Sequence, residues 1–200
     1  MQPRDHDIRN LALYAPRVAY ALVAGIPRVP FVDDIPLQFS SSTVNAPPVE
    51  GSFSNNLTQD TLIERISFSL FQQNTFPGSP FSSLYFNQLK QGGQTGVGVQ
   101  MQVFGGPKYV ISSTFVDLGT LVDVFAATWP AGWPLFRQSN VRISAILTQT
   151  PVSVPYDVTM TFLGWQFLDK SGYDDLSDEE ARARLKALGI ETPNLSVLSK

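Results

Sequence analysis

Four stretches of this chain alternate apolar and polar side chains with a period of two, and no helical pattern of useful length separates them. In Leu62–Phe71, Ile66, Phe68 and Leu70 share one side while Arg65, Ser67 and Ser69 share the other. Val97, Val99, Met101 and Val103 alternate with Gly98, Gln100 and Gln102, and Val141, Ile143, Ala145 and Leu147 repeat the pattern. Tyr156, Val158, Met160 and Phe162 then oppose Asp157, Thr159 and Thr161. Successive strand side chains point to opposite faces, so these runs read as half-buried strands. Turn formers lie between them at Asn74–Pro80, Gln91–Gly96, Gly105-Gly106-Pro107 and Thr128–Pro134. Strands at short spacing without helices pair antiparallel. The expectation is an all-β antiparallel sandwich over residues 29–168, preferably a jelly roll, since this length supplies about eight strands with long connections.

Two flanking units differ from that body. Met1–Asn10 is polar, whereas Leu11–Ile26 is apolar, carries Tyr14 and Tyr20, and is broken by Pro16. An extended arm, a first strand or a short helix all fit it. Residues 1–28 are read as an arm, because an exposed apolar segment needs a surface to cover it; joining its own sandwich is the open alternative. At the other end, residues 169–200 hold 12 of the chain's 31 charged residues. Ser177 reads as a helix N-cap with Glu180 at the capping-box position, and Gly189 as the stop. Acids fill the first turn, Arg182, Arg184 and Lys186 follow, and Asp178–Arg182 and Glu180–Arg184 are spaced for pairing. Ala181, Leu185 and Leu188 form a narrow apolar stripe. A short C-terminal helix is expected.

Charged residues make up only 16% of the chain, against roughly 25% in an average soluble protein. A thinly charged exterior suits a subunit covered by neighbours, though an exterior of Ser, Thr, Gln and Asn would also serve a monomer. The net charge of -3 offers no basic footprint for nucleic acid. Leu11–Pro27 comes nearest to a membrane span but contains Pro16, Arg17 and Gly25, so no membrane is expected. Asp5 and Asp7 stand where a secretory leader carries positive charge.

Catalytic machinery is hard to assemble from these residues. The single histidine, His6, lies in the polar start, and there is no cysteine. Zinc, copper and non-haem iron sites need more such ligands, so no metal and no cofactor are expected, and a cupin-type jelly-roll enzyme is disfavoured. Asp33 and Asp34 are adjacent and would point to opposite faces of a strand. Asp117 and Asp123 flank an apolar run, and Asp174-Asp175 precede the helix; nothing singles out a facing pair of carboxylates. Gly92–Gly98 lacks the Lys-Ser/Thr ending of a phosphate loop and reads as a hairpin turn. The sequons at Asn56 and Asn194 mean little without a secretion signal. No enzyme is expected.

Aromatic residues are the remaining candidates. Trp129-Pro130-Ala131-Gly132-Trp133-Pro134 fits a cap on the core, an anchor in a subunit interface, or a stacking platform for a sugar. Phe76–Phe86, with three Phe and one Tyr, has the same ambiguity. Tyr14, Tyr20, Trp129, Trp133 and Phe136 are the candidate interface residues.

Thr148–Pro155 followed by Tyr156-Asp157-Val158-Thr159-Met160-Thr161-Phe162-Leu163-Gly164-Trp165, with the earlier Ile63–Leu70 strand, resembles the closing strands of jelly-roll capsid decoration, cement or minor capsid proteins of tailed bacteriophages. The likeness is a pattern over roughly residues 30–168, not a diagnostic motif. Leu176–Ile190 resembles half of a helix-extended-helix module of phage proteins; the second helix is missing, so its nucleic-acid association does not carry over. The resemblance implies a virion protein, assembled in the host cytoplasm, that contacts the major capsid protein and itself as a dimer or trimer. A carbohydrate- or receptor-binding module of a virion fibre or vertex is the alternative.

Overall fold

The computed structural model describes residues 5–41, 43–72, 95–105, 109–110, 114–149, 156–169 and 172–191. The stretch Phe76–Phe86, the turn Asn74–Pro80, Gly92-Gly93-Gln94, Gly106-Pro107, residues 150–155 and the Asn194 sequon lie outside the described residues. In chain order the elements are α1 (Asp5–Tyr14), α2 (Pro16–Val23), β1 (Arg28–Phe39), β2 (Val49–Ser52), β3 (Thr61–Gln72), β4 (Val97–Phe104), β5 (Tyr109–Val110), β6 (Val116–Asp117), α3 (Leu118–Thr128), β7 (Trp133–Leu135), β8 (Asn140–Leu147), β9 (Tyr156–Phe167) and α4 (Asp178–Ala187).

The strands form two antiparallel sheets, one ordered β1-β9-β3-β7 and the other β2-β8-β4-β5 with β6 also beside β4. The four alternating stretches are β3, β4, β8 and β9, and their apolar sides meet. Ile66, Val99, Met101, Ile143, Ala145, Val158, Met160 and Phe162 share one core with Ile35, Leu37 and Phe39 of β1. Each such large side chain, fully buried, contributes roughly 1.5–3 kcal/mol. The protein is thus mostly β, with a layout consistent with a β-sandwich.

Strand β1 is an edge, and its sequence suits one. Pro30 and Pro36 lie opposite Trp165 and Thr159 of β9 and are six residues apart, so both nitrogens face away from β9, where no ladder bond is lost. The Pro36 carbonyl turns toward β2, 2.9 Å from where a Cβ on Gly51 would stand. Glycine at this point lets the two sheets approach along their open side.

Residues 118–128 depart from the all-strand expectation: they are helix α3. The Asp117 side chain caps it, accepting from the Gly119 and Thr120 N–H groups at 2.9 and 3.3 Å, and its other oxygen accepts from the Thr95 N–H and hydroxyl at 2.7 and 2.9 Å. Leu118, Leu121 and Phe125, spaced three and four apart, enter the core. The run is apolar nearly all round, with Val124 half exposed, so its period is faint.

Residues 5–23, expected as an arm, are two helices. Pro16 explains the break: it disfavours helical geometry at Ala15 (φ −140°, ψ 63°) and then takes the first position of α2. Leu11, Ala12, Ala15, Val18 and Ala19 make a second core with Leu185 of α4, Leu62 of β3 and Phe167 of β9. Leu62 neighbours Ile63, which faces the sandwich core, so the helices lie on the outer face of the first sheet.

Helix α4 has the expected capping box: the Glu180 N–H donates to the Ser177 hydroxyl at 3.2 Å, and the Glu180 carboxylate accepts from the Ser177 N–H at 2.9 Å. Gly189 ends the helix at φ +82°. Glu180 turns back to the cap and Arg184 lies over Tyr20, 5.5 Å from the ring centre, so the Arg184 charge is only a lesser influence on Glu180. Hydrogen bonds from the Ser177 N–H and hydroxyl hold the Glu180 carboxyl below the ordinary glutamate value. A carboxyl lowered on folding stabilises above its unfolded pKa, so this contribution fades as pH falls through the ordinary glutamate range and below it. Ser177→Ala is expected to cost about 1 kcal/mol, seen as a lower midpoint in urea denaturation at neutral pH. The difference from the parent should shrink in acid.

Candidate functional site

Where the helical layer meets the sheet, the chain leaves a cavity of about 620 Å³. Tyr14, the last residue of α1, and Trp129, the C-cap of α3, form one corner. Their rings meet edge to face, with centroids 5.4 Å apart and planes at 74°. Pro134 of β7, Phe136 just beyond it, Leu176, and Ser177 and Asp178 at the start of α4 line the cavity as well. Arg17 of α2 completes the lining.

Three of the five candidate aromatics therefore come together here. Tyr14 is 44% exposed, and burial of the rest of its ring pushes the phenol above its ordinary pKa. Trp129 and Phe136 are partly buried, packed against the first and second cores respectively. Tyr20 lies elsewhere, packed on the second core beneath Arg184. Trp133 is fully enclosed at 0% exposure, its ring set edge to face on Phe125 at 6.0 Å. A ring with no free surface can offer nothing to a partner or a sugar. Trp133 sits on the inner side of β7 because Pro134, its alternate neighbour, takes the outer one.

The cavity wall rests on a polar knot that sequence reasoning missed. Asp60 is only 1% exposed, yet its carboxylate accepts from three donors. One oxygen takes Arg17 Nη2 at 2.9 Å and the Tyr173 hydroxyl at 3.0 Å; the other takes the Arg137 backbone N–H at 3.0 Å. The Arg17 guanidinium also lies 5.6 Å from the Tyr173 ring centre. Burial, then the charge of Asp60, drives the Tyr173 hydroxyl far above its ordinary pKa, so it remains a donor. A carboxylate this engaged fixes geometry: it ties α2, the segment before β3, the turn after β7 and the residues before α4 into one unit. Its partners are 43, 77 and 113 residues away in sequence, and no local spacing announces such a contact.

The remaining sequence candidates are dispersed. The backbone of His6 lies in α1, and its side chain is outside what the structure describes. Asp33 accepts from the Ser54 hydroxyl at 3.3 Å and Asp34 from the Thr161 hydroxyl at 2.6 Å, on neighbouring positions of β1. Asp117 caps α3 and Asp123 is exposed on the same helix. Among the described residues, no group of three or more His, Cys, Asp or Glu is placed to hold a metal ion.

Comparison with protein-family models, with curated proteins and with solved structures returns no match.

Proposed function

We propose that this chain is a jelly-roll subunit of a virion, a capsid cement, decoration or minor capsid component that acts by binding neighbouring protein subunits. The pairing order carries the reading. Strand β1 pairs with β9, β2 with β8, β3 with β7, and β4 with β5 and β6, a nested set centred on the β4–β6 connection. Laid over two sheets, such nesting makes consecutive long strands alternate between them, which is how a jelly roll is wound. That architecture serves viral capsid proteins, lectins and cupins. The cupin branch needs a cluster of histidines, and this chain has one.

Contact area is the mechanism in this reading. A shell component of this kind stabilises its neighbours by burying apolar and aromatic surface, on the order of 800 Å² per partner for a standard interface. The low share of charged residues, 16%, favours such covering. Expected partners are the major capsid protein and further copies of this chain. Mass spectrometry of purified particles should find the protein in many copies; its absence would end the reading.

The Tyr14–Trp129 corner keeps a second reading open, a sugar- or receptor-binding module. Trp133 being enclosed, Trp129 is the tryptophan to test. Glycan binding that disappears in Trp129→Ala would favour this module over the shell component.

A further inference from the structure

We infer that the cavity beside α4 receives an arginine or lysine side chain from a partner polypeptide, with Asp178 as its counter-ion and the Tyr14–Trp129 corner as its cation–π wall. The inference rests on the protein-binding reading above and adds the chemistry of the partner.

Charge accounting comes first. Arg17 brings no net charge to the lining, because the Asp60 carboxylate lies 2.9 Å from its guanidinium. The Ser177 hydroxyl is taken by Glu180, 2.8 Å away. Asp178 is different: it is exposed and lines the cavity, and among the described residues the two ion pairs are Arg17–Asp60 and Arg142–Glu50. Asp174, Asp175 and Glu179 stand close to it in the chain. A helix start carries roughly half a positive charge, and the three acids in the first turn of α4 outweigh it. The start of α4 that lines the cavity is therefore negative, while the charges of Arg137 and Arg17 act on Asp174 before it.

The walls select the kind of cation. Tyr14 and Trp129 present aromatic rings at 74° to each other, and a ring face attracts a cation within about 6 Å. Phe136 and Leu176 make the interior apolar. A bare metal ion would find one carboxylate and no further ligand set. A basic side chain suits both parts, since its methylene stem packs on apolar surface while its head stays at the acid. The volume of about 620 Å³ leaves room for an apolar neighbour of that residue as well.

The test titrates the purified protein with acetyl-Leu-Arg-Leu-amide and its lysine, citrulline and glutamate analogues, followed by tryptophan fluorescence and by NMR shifts. The arginine and lysine peptides should bind about tenfold or more tightly than citrulline, which keeps the shape of arginine without its charge. Asp178→Asn, which leaves the Ser177–Glu180 cap in place, should erase that preference, and Trp129→Ala should abolish binding. Tyr14→Ala stands in if Trp129→Ala does not fold, and thermal melts report on folding. Equal binding of the citrulline peptide, no saturable binding, or self-association without peptide that Trp129→Ala removes would each overturn the inference, the last by making a second copy the occupant. Particle content is scored separately: a protein present in particles that binds none of the peptides sinks the inference alone, and peptide binding by a protein absent from particles sinks the virion reading alone.

Discussion

Asp60→Ala is expected to lower the unfolding free energy by about 3–5 kcal/mol, the usual result of removing one partner from a buried ion pair. The cost lies in what stays behind. Arg17, 16% exposed, keeps its charge without the carboxylate, while the Tyr173 hydroxyl and the Arg137 N–H lose their acceptor. At 2–4 °C per kcal/mol for a chain of this size, the melting temperature should fall by roughly 6–20 °C. Removing the charge on both sides, as in Arg17→Met with Asp60→Leu, should recover part of the loss, because no unpaired charge is left behind and only the Tyr173 hydroxyl and the Arg137 N–H still lack their acceptor. A drop under about 1 kcal/mol for Asp60→Ala would mean that the helical layer is held by its apolar core alone.

Gly164→Ala is expected to cost about 3 kcal/mol or more, at the upper end of overpacking penalties. Gly164 lies on β9 opposite Ile63, where the register with β3 shifts between Ile63 and Arg65. A Cβ there would overlap the Leu62 carbonyl oxygen and stand 2.9 Å from the Ile63 Cα. Both obstacles are backbone of a paired strand, so neither can swing aside as a flexible side chain would. Gly172→Ala is the control: its Cβ would meet nothing within 4 Å, leaving only the strain of φ +71°, about 1–2 kcal/mol. Urea denaturation of the two variants ranks them, and a Gly164→Ala midpoint at or above that of Gly172→Ala would contradict the bulge account.

The four alternating stretches were legible because a strand buried on one face writes its period directly into the sequence. Ile66, Met101, Ile143 and Phe162 face the core as their spacing indicates. Helix α4 was legible for a different reason, since Ser177, Glu180 and Gly189 are local signals at fixed offsets. Helix α3 was not: Leu118–Thr128 is apolar on nearly every side, which blurs a 3.6-residue period into a continuous run. Asp117 was the available clue, a capping residue directly before that run. Helices α1 and α2 were obscured by Pro16, which divides a pattern that would otherwise span both. The cavity was half legible. Its aromatics stand out by type, but their fates depend on the elements that hold them: Trp129 ends α3 beside the cavity, whereas Trp133 on the short β7 turns into the core.

The position of β9 sets the order in which this chain can become a protein on the ribosome. It lies between β1 and β3 in the first sheet, and its residues 156–167 pair with residues 28–39 on one side and 61–72 on the other. Until β9 has been made, β1 and β3 have no common neighbour, and the apolar sides of both stand open to water. Native pairing across more than 100 residues closes late, and topologies of this kind fold slowly. A nascent chain stopped at residue 150 would thus leave β1 and β3 without the strand that joins them, the state in which unpaired strands seek other chains.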